Sequence, residues 1–198
     1  ELRADGQLGG LRLNEARQSA QALGVARVEW LGYADSGSGP QPEPDVPGQV
    51  RFTRAPLEEA AERLAAILRT ERADLLISYD ANGGYGHRDH VRVHEVGARA
   101  AVIAGTPRVL EATVPRDTIA RAIRAVARVY RFPAEFDPTS FERAFTARAD
   151  ITHRIDVRKH IAAKRSSMRA HASQATGGGA AAVGEGGQTG DRPLAAAL

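Results

Sequence analysis

The chain has 198 residues, of which 42% are hydrophobic and 26% charged, enough for one domain with its own core. Lysine and arginine number 27 against 24 aspartate and glutamate residues, so the formal net charge is only +3. No basic run is interleaved with aromatic residues, which argues against a nucleic-acid-binding protein. The chain has no cysteine, which excludes disulfides, thiolate zinc sites and cysteine nucleophiles. Any bound metal would therefore need histidine and carboxylate ligands.

Apolar runs and the first residues bear on localisation. The longest apolar runs are far shorter than the ~20 residues that cross a bilayer. The first ten residues are polar and glycine-rich, unlike a signal peptide. We therefore predict no membrane span and expect a cytoplasmic protein.

Hydrophobic periodicity divides the first 80 residues into two helices, two strands and one long loop. Gly24 falls where a helix C-cap belongs, and Pro56 falls in the first turn of a helix. The last run is nearly continuously apolar, which is typical of a strand covered on both faces. In chain order these elements are a helix over 8–24, a strand over 27–32, a loop over 35–49, a helix over 56–72 and a strand over 74–79.

The second half continues the alternation of helices and strands. A third helix begins near His90 and carries apolar residues as far as Ala101. The tail contains seven glycines and few large apolar residues, so we expect it to be flexible. The remaining predicted elements are a strand over 108–114, a helix after Pro115, a strand over 151–155, a helix over 157–171 and the tail over 175–198.

This alternation predicts an α/β fold, a Rossmann-like three-layer α/β/α arrangement with a mostly parallel sheet. The first strand of such a fold normally lies at the centre of the sheet. Here a glycine-rich turn and a helix open the sequence instead. We therefore expect the sheet to lack its first strand.

The densest polar cluster is the segment 80–90, which reads DANGGYGHRDH and holds two of the six histidines. It follows a predicted buried strand, and open α/β sheets place their chemistry at the carboxyl ends of strands. His87 and His90 are three residues apart at the start of a helix, so both rings can point toward one pocket. Asp89 could accept a hydrogen bond from an imidazole and fix its tautomer.

Plainer interpretations of these residues stay open. The segment could be a surface turn with an exposed histidine pair, with Asp80 and Asn82 serving only to form the turn. His94 follows His90 by four residues, as in a His-x-x-x-His metal site, but a histidine packed on the helix is favoured. A nucleotide-binding Rossmann domain is disfavoured, because no Gly-x-Gly-x-x-Gly follows a strand.

The segment 79–94, YDANGGYGHRDHVRVH, resembles the signature of the LmbE-like or GlcNAc-phosphatidylinositol de-N-acetylase (PIG-L) family of zinc-dependent amide hydrolases. The resemblance is strongest to its actinobacterial mycothiol-pathway branch. The segments 11–24, 30–37 and 164–174 follow in the family's order and at about its spacing. The resemblance therefore implies one deacetylase domain over 1–174.

Carried over residue by residue, the resemblance implies a catalytic and metal-binding set. His90 would be the third zinc ligand. His87 would stabilise the tetrahedral oxyanion or protonate the leaving amine. Asp89 would orient His87, and Tyr85 would approach the same oxyanion.

The resemblance also implies substrate contacts away from this segment. Arg12 and Asp35 match positions that hold the sugar substrate. A surface salt bridge for Arg12 and turn stabilisation for Asp35 compete equally with these roles. The late residues His171, Ser173 and Gln174 are expected to be structural and to close the last helix.

One part of the family pattern is absent from this sequence. The family's other two zinc ligands and its general base come from a run, Ala-His-Pro-Asp-Asp-Glu, after the first strand. The chain has no such run and no Asp-Asp pair. We therefore expect the 198 residues to begin inside the domain, with the other two Zn²⁺ ligands in a missing N-terminal segment.

The expected function is zinc-dependent hydrolysis of an N-acyl amide, with an N-acetylglucosamine-type sugar conjugate as substrate and acetate and a free amine as products. The proline-rich loop 37–49 is where we expect substrate selection to lie. The partner of the protein would be this small-molecule sugar conjugate, and a homo-oligomer is compatible with the sequence. The alternative is a non-catalytic remnant or sugar-binding module that lacks a complete zinc site.

Overall fold

A computed structural model of the protein describes residues 7–39, 41–45, 47–132, 141 and 143–175. The chain divides into two compact units, one made of Glu1–Glu29 with Ile155–Leu198 and the other of Trp30–Arg154. We call the first the helical unit and the second the central unit. Along the described residues the elements are α1 (Gln7–Leu23), α2 (Leu57–Glu71), β1 (Leu76–Tyr79), α3 (Gly83–Gly86), α4 (Arg88–Ala104), β2 (Val109–Ala112), α5 (Arg116–Val126), α6 (Ile161–Ala170) and α7 (Ala172–Ala175), with 3₁₀ turns at Phe52–Arg54, Arg148–Asp150 and Arg158–His160.

In the helical unit, α1 packs against α6 through small polar side chains. The hydroxyls of Ser19 and Ser167 are both buried and share a hydrogen bond of 2.7 Å. α1 ends at Gly24, whose φ is +72°. The N–H of Val25 donates to Ala20 O at 2.8 Å, and the Gly24 N–H donates to Gln21 O at 3.1 Å. This is a Schellman C-cap, so the predicted helix end is confirmed.

In the central unit, α2 and α4 pack face to face around alanines. Ala61, Ala65 and Ala100 are fully buried, and such small side chains let two helices approach closely. α2 begins directly after Pro56 and ends at Arg72, which adopts the left-handed conformation with φ of 49°. The predicted helix over 56–72 is therefore confirmed.

The two strands form a small parallel sheet, with Leu76 opposite Val109 and Tyr79 opposite Ala112. α4 packs on one face, where the Ser78 hydroxyl donates to Val93 O at 3.3 Å. On the other face Ile77 is 66% exposed. The α/β class is therefore confirmed, but the prediction that this strand is covered on both faces is wrong, because the helix that packs on β1 leaves the Ile77 face open.

Two predicted strands do not form. Residues 27–32 make no ladder, and Leu31 O accepts from the Arg63 guanidinium at 2.9 Å instead of pairing with another strand. Residues 151–155 are irregular, and Ile155 is 72% exposed, so the alternating pattern serves no buried face. Both predictions failed for the same reason: a strand needs a partner backbone that its own sequence does not specify.

The remaining predicted helices and strands lie within a few residues of their expected positions. The strand over 108–114 is β2, the helix after Pro115 is α5, and the helix over 157–171 is a 3₁₀ turn followed by α6. From residue 176 onward, the predicted flexible tail lies outside the described residues. Within the described ranges, no helix is both long enough and apolar enough to span a bilayer.

Candidate functional site

The polar segment begins directly after β1 with Asp80, which is only 1% exposed. Its Oδ1 accepts from the N–H groups of Asn82 at 3.1 Å and Gly84 at 2.9 Å. Its Oδ2 accepts from the hydroxyls of Thr113, just beyond β2, and Thr146, the latter at 3.0 Å. Four donors on one buried carboxylate tie the ends of both strands to the glycine-rich turn. This bonding supports the turn-forming interpretation of Asp80, and the two threonines were not singled out by sequence reasoning.

Two glycines in the turn are required by its geometry. A Cβ at Gly83 would lie 2.6 Å from Val91 N. Gly84 has φ of 65° and ψ of −106°, a conformation that side-chain-bearing residues rarely adopt. The Phe145 N–H donates to Gly84 O at 2.6 Å, and Asn82 Nδ2 donates to Phe145 O at 2.7 Å. The main chain of Phe145 therefore bonds the turn at two points.

The turn and the first residues of α4 bring four rings together. Tyr79 stacks on His90 with ring centroids 4.1 Å apart, and Tyr85 meets His90 edge-on at 5.2 Å. The centroids of His87 and His90 lie 4.9 Å apart. Tyr85 stays 58% exposed, so the cluster is open to solvent on its side. The expectation that the two histidine rings share one location agrees with this geometry.

His87 is the N-cap of α4, and its Nδ1 accepts from the Asp89 N–H at 3.2 Å. A neutral imidazole that accepts at Nδ1 carries its hydrogen on Nε2. Nε2 is therefore the nitrogen of His87 that can donate to a ligand. An N–H donor held at a helix start is suited to stabilise developing negative charge.

The Asp89 carboxylate reaches toward a different segment from the one predicted. Its Oδ2 accepts from the Ser36 N–H at 2.8 Å, and it is the main-chain N–H of Asp89 that contacts His87. Its Oδ1 is buried and has no hydrogen-bond partner in the described part of the chain. Asp89 therefore ties the histidine segment to the loop that carries Asp35. Ser36 was missed from the sequence, where only a turn signal marks it.

One ring nitrogen of His90 is buried without a hydrogen bond in the part of the chain that the structure describes. Its Nδ1 is buried and lacks a partner within hydrogen-bonding geometry among the described residues. Burial of the ring and the neighbouring His87 lower the pKa of His90, while the main chain of Gly83 and the carboxylates of Asp89 and Asp35 oppose this shift in part. The neutral ring is thereby favoured, and the neutral imidazole is the form that binds metal ions.

Asp35 lies in the same central unit and acts on this cluster through its charge. Its Oδ1 accepts from the Gly37 N–H at 2.7 Å, as expected for a turn-stabilising aspartate. Burial raises the pKa of Tyr85, and electrostatic interactions with Tyr79 and Asp35 raise it further. The Tyr85 phenol therefore stays protonated, and so able to donate, at neutral pH.

The other predicted residues lie elsewhere. Arg12 is exposed on α1 of the helical unit, so its substrate contact stays a prediction. His94 Nδ1 lies 3.3 Å from Tyr79 O and 3.1 Å from Glu111 Oε1, which favours a packed helix histidine. A metal site at His94 is correspondingly disfavoured.

Two hydrogen bonds in the helical unit support the structural role predicted for Ser173. Its N–H and its hydroxyl each donate to the Glu15 carboxylate at 2.7 Å. These two bonds lower the pKa of Glu15. The side chain of Gln174 lies outside the described residues, and His171 is the residue at which α6 ends.

The described residues fit one position of a metal site but not a complete one. His90 supplies an imidazole with a buried nitrogen that has no hydrogen-bond partner among the described residues, and its lowered pKa favours the neutral form. No group of three histidine, aspartate or glutamate side chains in the described ranges could hold a metal ion. A catalytic zinc needs three protein ligands, so further ligands would have to come from outside these ranges.

Comparison with known proteins decides the family. The PIG-L family model, described as GlcNAc-PI de-N-acetylase, matches residues 1–101. The chain belongs to the PIG-L family. The match includes the segment 79–94, so the resemblance expected from the sequence is confirmed. The residues that form the histidine cluster thus lie within the PIG-L match.

Several curated proteins that share one name with each other are similar to this PIG-L chain. The relatives from Saccharomonospora viridis and Nocardiopsis dassonvillei are 34% and 37% identical over 180 and 186 residues. The relative from Acidothermus cellulolyticus is 37% identical over 182 residues. All three are named 1D-myo-inositol 2-acetamido-2-deoxy-alpha-D-glucopyranoside deacetylase. The alignments cover 88%, 87% and 85% of this chain but 66%, 65% and 60% of the relatives, so the chain spans less than two thirds of their length.

Proposed function

We propose that this PIG-L chain carries the histidine half of a sugar N-deacetylase site that acts on an N-acetylglucosaminyl-inositol-type substrate. The observation that carries the proposal is the cluster of His87 and His90, with centroids 4.9 Å apart at the carboxyl end of a parallel strand. The names of the relatives support the substrate class. In the reaction, water adds to the acetamide carbonyl, the C–N bond breaks, and acetate and a free amine leave.

His90 is proposed as one ligand of a zinc ion, because its Nδ1 is buried without a hydrogen-bond partner among the described residues and the lowered pKa of the ring favours its neutral form. When bound, zinc polarises an amide carbonyl and makes its bound water acidic. The other ligands are proposed to lie outside the described residues. The stacking of Tyr79 on His90 keeps the ring in a fixed orientation.

The remaining side chains have roles that follow from their donors and acceptors. His87 Nε2–H donates toward the oxygen that gains negative charge. In the alternative role, the ring would first take up a proton at Nδ1, which breaks the bond from the Asp89 N–H, and the imidazolium would then give its Nε2 proton to the leaving nitrogen. Tyr85, protonated and 58% exposed, offers a second donor. Asp35 is an acceptor for sugar hydroxyl groups, and Arg12 is proposed as a further substrate contact.

A second function is favoured by the incomplete ligand set. Since no three-ligand group exists among the described residues, the same cluster could serve a sugar-binding module without turnover. The two functions differ in metal content and in amine release, and not in sugar binding.

Zinc content and amine release test the proposal when they are measured on a protein that includes the segment supplying the remaining ligands. We expect about one zinc per chain by elemental analysis, and release of acetate and a free amine from the N-acetylglucosaminyl-inositol named for the relatives. His90→Ala should lose zinc and turnover, whereas His94→Ala, whose Nδ1 contacts Glu111, should keep both. Sugar binding without zinc or amine release would replace the enzyme by the binding module.

A further inference from the structure

The loop after residue 34 closes on itself. We call residues 35–39 and 41–45 the Asp35 loop. The Ala34 N–H donates to Val50 O at 3.0 Å, and the Phe52 N–H donates to Ala34 O at 2.9 Å. These bonds make a parallel bridge between Ala34 and Arg51. The two ends of the loop therefore lie side by side, as in an Ω-loop.

A buried arginine fills the inside of this closed loop. Arg51 is only 6% exposed. Its Nε donates to Pro44 O at 2.7 Å, and its two terminal nitrogens donate to Asp35 O and, at 2.9 Å, to Glu43 Oε2. The Arg51 main-chain N–H donates to Asp45 Oδ1 at 2.8 Å. Because a buried guanidinium is costly unless its donors are paired, opening the loop would leave these donors unsatisfied.

The same loop is anchored to the histidine segment. Ser36 is fully buried, and its N–H donates to Asp89 Oδ2. The Ser36 hydroxyl oxygen accepts from the Thr53 N–H at 3.1 Å and from its hydroxyl at 2.9 Å. Asp35 is thus held on both sides. Its own carbonyl accepts from Arg51, and the next residue, Ser36, is hydrogen-bonded to Asp89 and Thr53.

We propose that Arg51 is a positioning residue for substrate binding, which holds the Asp35 loop closed so that the Asp35 carboxylate is in place before a sugar arrives. The ligand class is a polyhydroxylated ring whose hydroxyl groups donate to that carboxylate. A loop ordered in advance does not spend binding free energy on ordering, so affinity rises. The substrate part of this inference rests on the proposed function, and the loop part does not.

Lysine cannot replace Arg51 in this role. A guanidinium presents donors in a planar fork, and here three acceptors from separate residues meet that fork. A lysine ammonium is a compact point donor on a flexible stem and cannot reach the same three positions. Arg51→Lys therefore keeps the charge but loses the geometry.

Hydrogen exchange of the loop amides tests the first part. The Gly37 and Glu43 amides are bonded inside the loop, to Asp35 Oδ1 and Ser36 O. In Arg51→Lys we expect both to exchange at least about tenfold faster, with α4 amides unchanged. Arg54→Lys is the matched control, since Arg54 pairs with Asp45 of the same loop at 3.5 Å but with a side chain 44% exposed. Unchanged loop exchange in Arg51→Lys would overturn the proposal.

A second variant covers the case in which Arg51→Lys fails to fold. Glu43 is 46% exposed at its side chain and gives Arg51 one of its three acceptors. Glu43→Ala should therefore speed exchange of the Gly37 amide by about threefold or more while α4 stays protected. Exchange equal to wild type in this variant would show that the guanidinium does not hold the loop.

Steady-state kinetics test the substrate part. With the N-acetylglucosaminyl-inositol named for the relatives as substrate, Arg51→Lys should raise KM about tenfold and leave kcat within about twofold. Arg54→Lys should match wild type. A fall in kcat with KM unchanged would contradict the positioning role. If the wild-type protein that includes the remaining zinc ligands gives no turnover, the proposed function fails, while the exchange result still decides whether Arg51 orders the loop.

Discussion

His87 shows how one side chain can serve both the backbone and a ligand. Its Nδ1 caps α4 by accepting the Asp89 N–H, which leaves Nε2–H as the donor available to a ligand. The ring is therefore oriented by the helix start rather than by a carboxylate. This orientation makes His87 a donor whose direction is fixed before a substrate binds.

Removal of this donor should affect turnover and not the metal. We predict that His87→Ala lowers kcat about 10²–10³-fold, as expected for loss of one oxyanion donor. Zinc content should stay at the wild-type value, because His87 is not the proposed ligand. Steady-state kinetics together with elemental analysis measure both quantities. Turnover equal to wild type would remove His87 from the reaction.

Part of the site could be predicted at this scale. The meeting of His87 and His90 follows from their spacing on one helix turn, which sequence shows directly. The contact between Asp89 and Ser36 joins residues 53 positions apart, and no local pattern encodes such a distance. Arg51 was not foreseen as a buried residue, because arginine is usually exposed and only the folded loop provides its acceptors.

Among the elements, helices were predicted better than strands. α2, α4 and α5 carry their apolar faces in their own sequence, so periodicity is sufficient to find them. The runs 27–32 and 151–155 alternate as strands do, but neither pairs with another strand. β1 and β2 form because they lie beside each other in register. Strand formation thus depends on a neighbour that may be far along the chain.

Asp80 is the residue on which the arrangement of β1, β2 and the glycine-rich turn depends. We predict that Asp80→Ala lowers the free energy of unfolding by more than about 3 kcal/mol, because four donors lose their acceptor. Asp80→Asn should cost less, since its carbonyl oxygen still accepts from the two turn amides. Urea unfolding measures both values, with Thr113→Ser, which keeps the hydroxyl, as control. Equal stability of Asp80→Ala and wild type would contradict this role.

For the whole molecule, the most exposed feature of the small sheet is its apolar open face. Ile77 is 66% exposed on that face. Exposed apolar faces on short sheets favour association. The chain also spans less than two thirds of the length of its relatives. The expected self-association therefore concerns these 198 residues and not the longer relatives.

A polar residue on the open face should reduce self-association at little cost in stability. We predict that Ile77→Thr changes the free energy of unfolding by less than about 0.5 kcal/mol, because the side chain is mostly in solvent. Threonine also suits a strand. Light scattering at rising concentration should show fewer large particles than for wild type. Val96→Thr, at a position 1% exposed, is the contrasting control and should destabilise the fold. A large loss of stability in Ile77→Thr would show that this face is covered.

The hydrogen bonds of Arg51 decide which residues must be moved together when the Asp35 loop is transplanted between members of the PIG-L family. A graft cut at the visible ends of the loop, residues 35 and 45, would leave behind the guanidinium at 51 and the hydroxyl at 53 that hold it. The transplantable module therefore runs from Ala34 to Thr53. The recipient protein must also have an aspartate at the position equivalent to Asp89, since that carboxylate accepts the hydrogen bond from the Ser36 N–H.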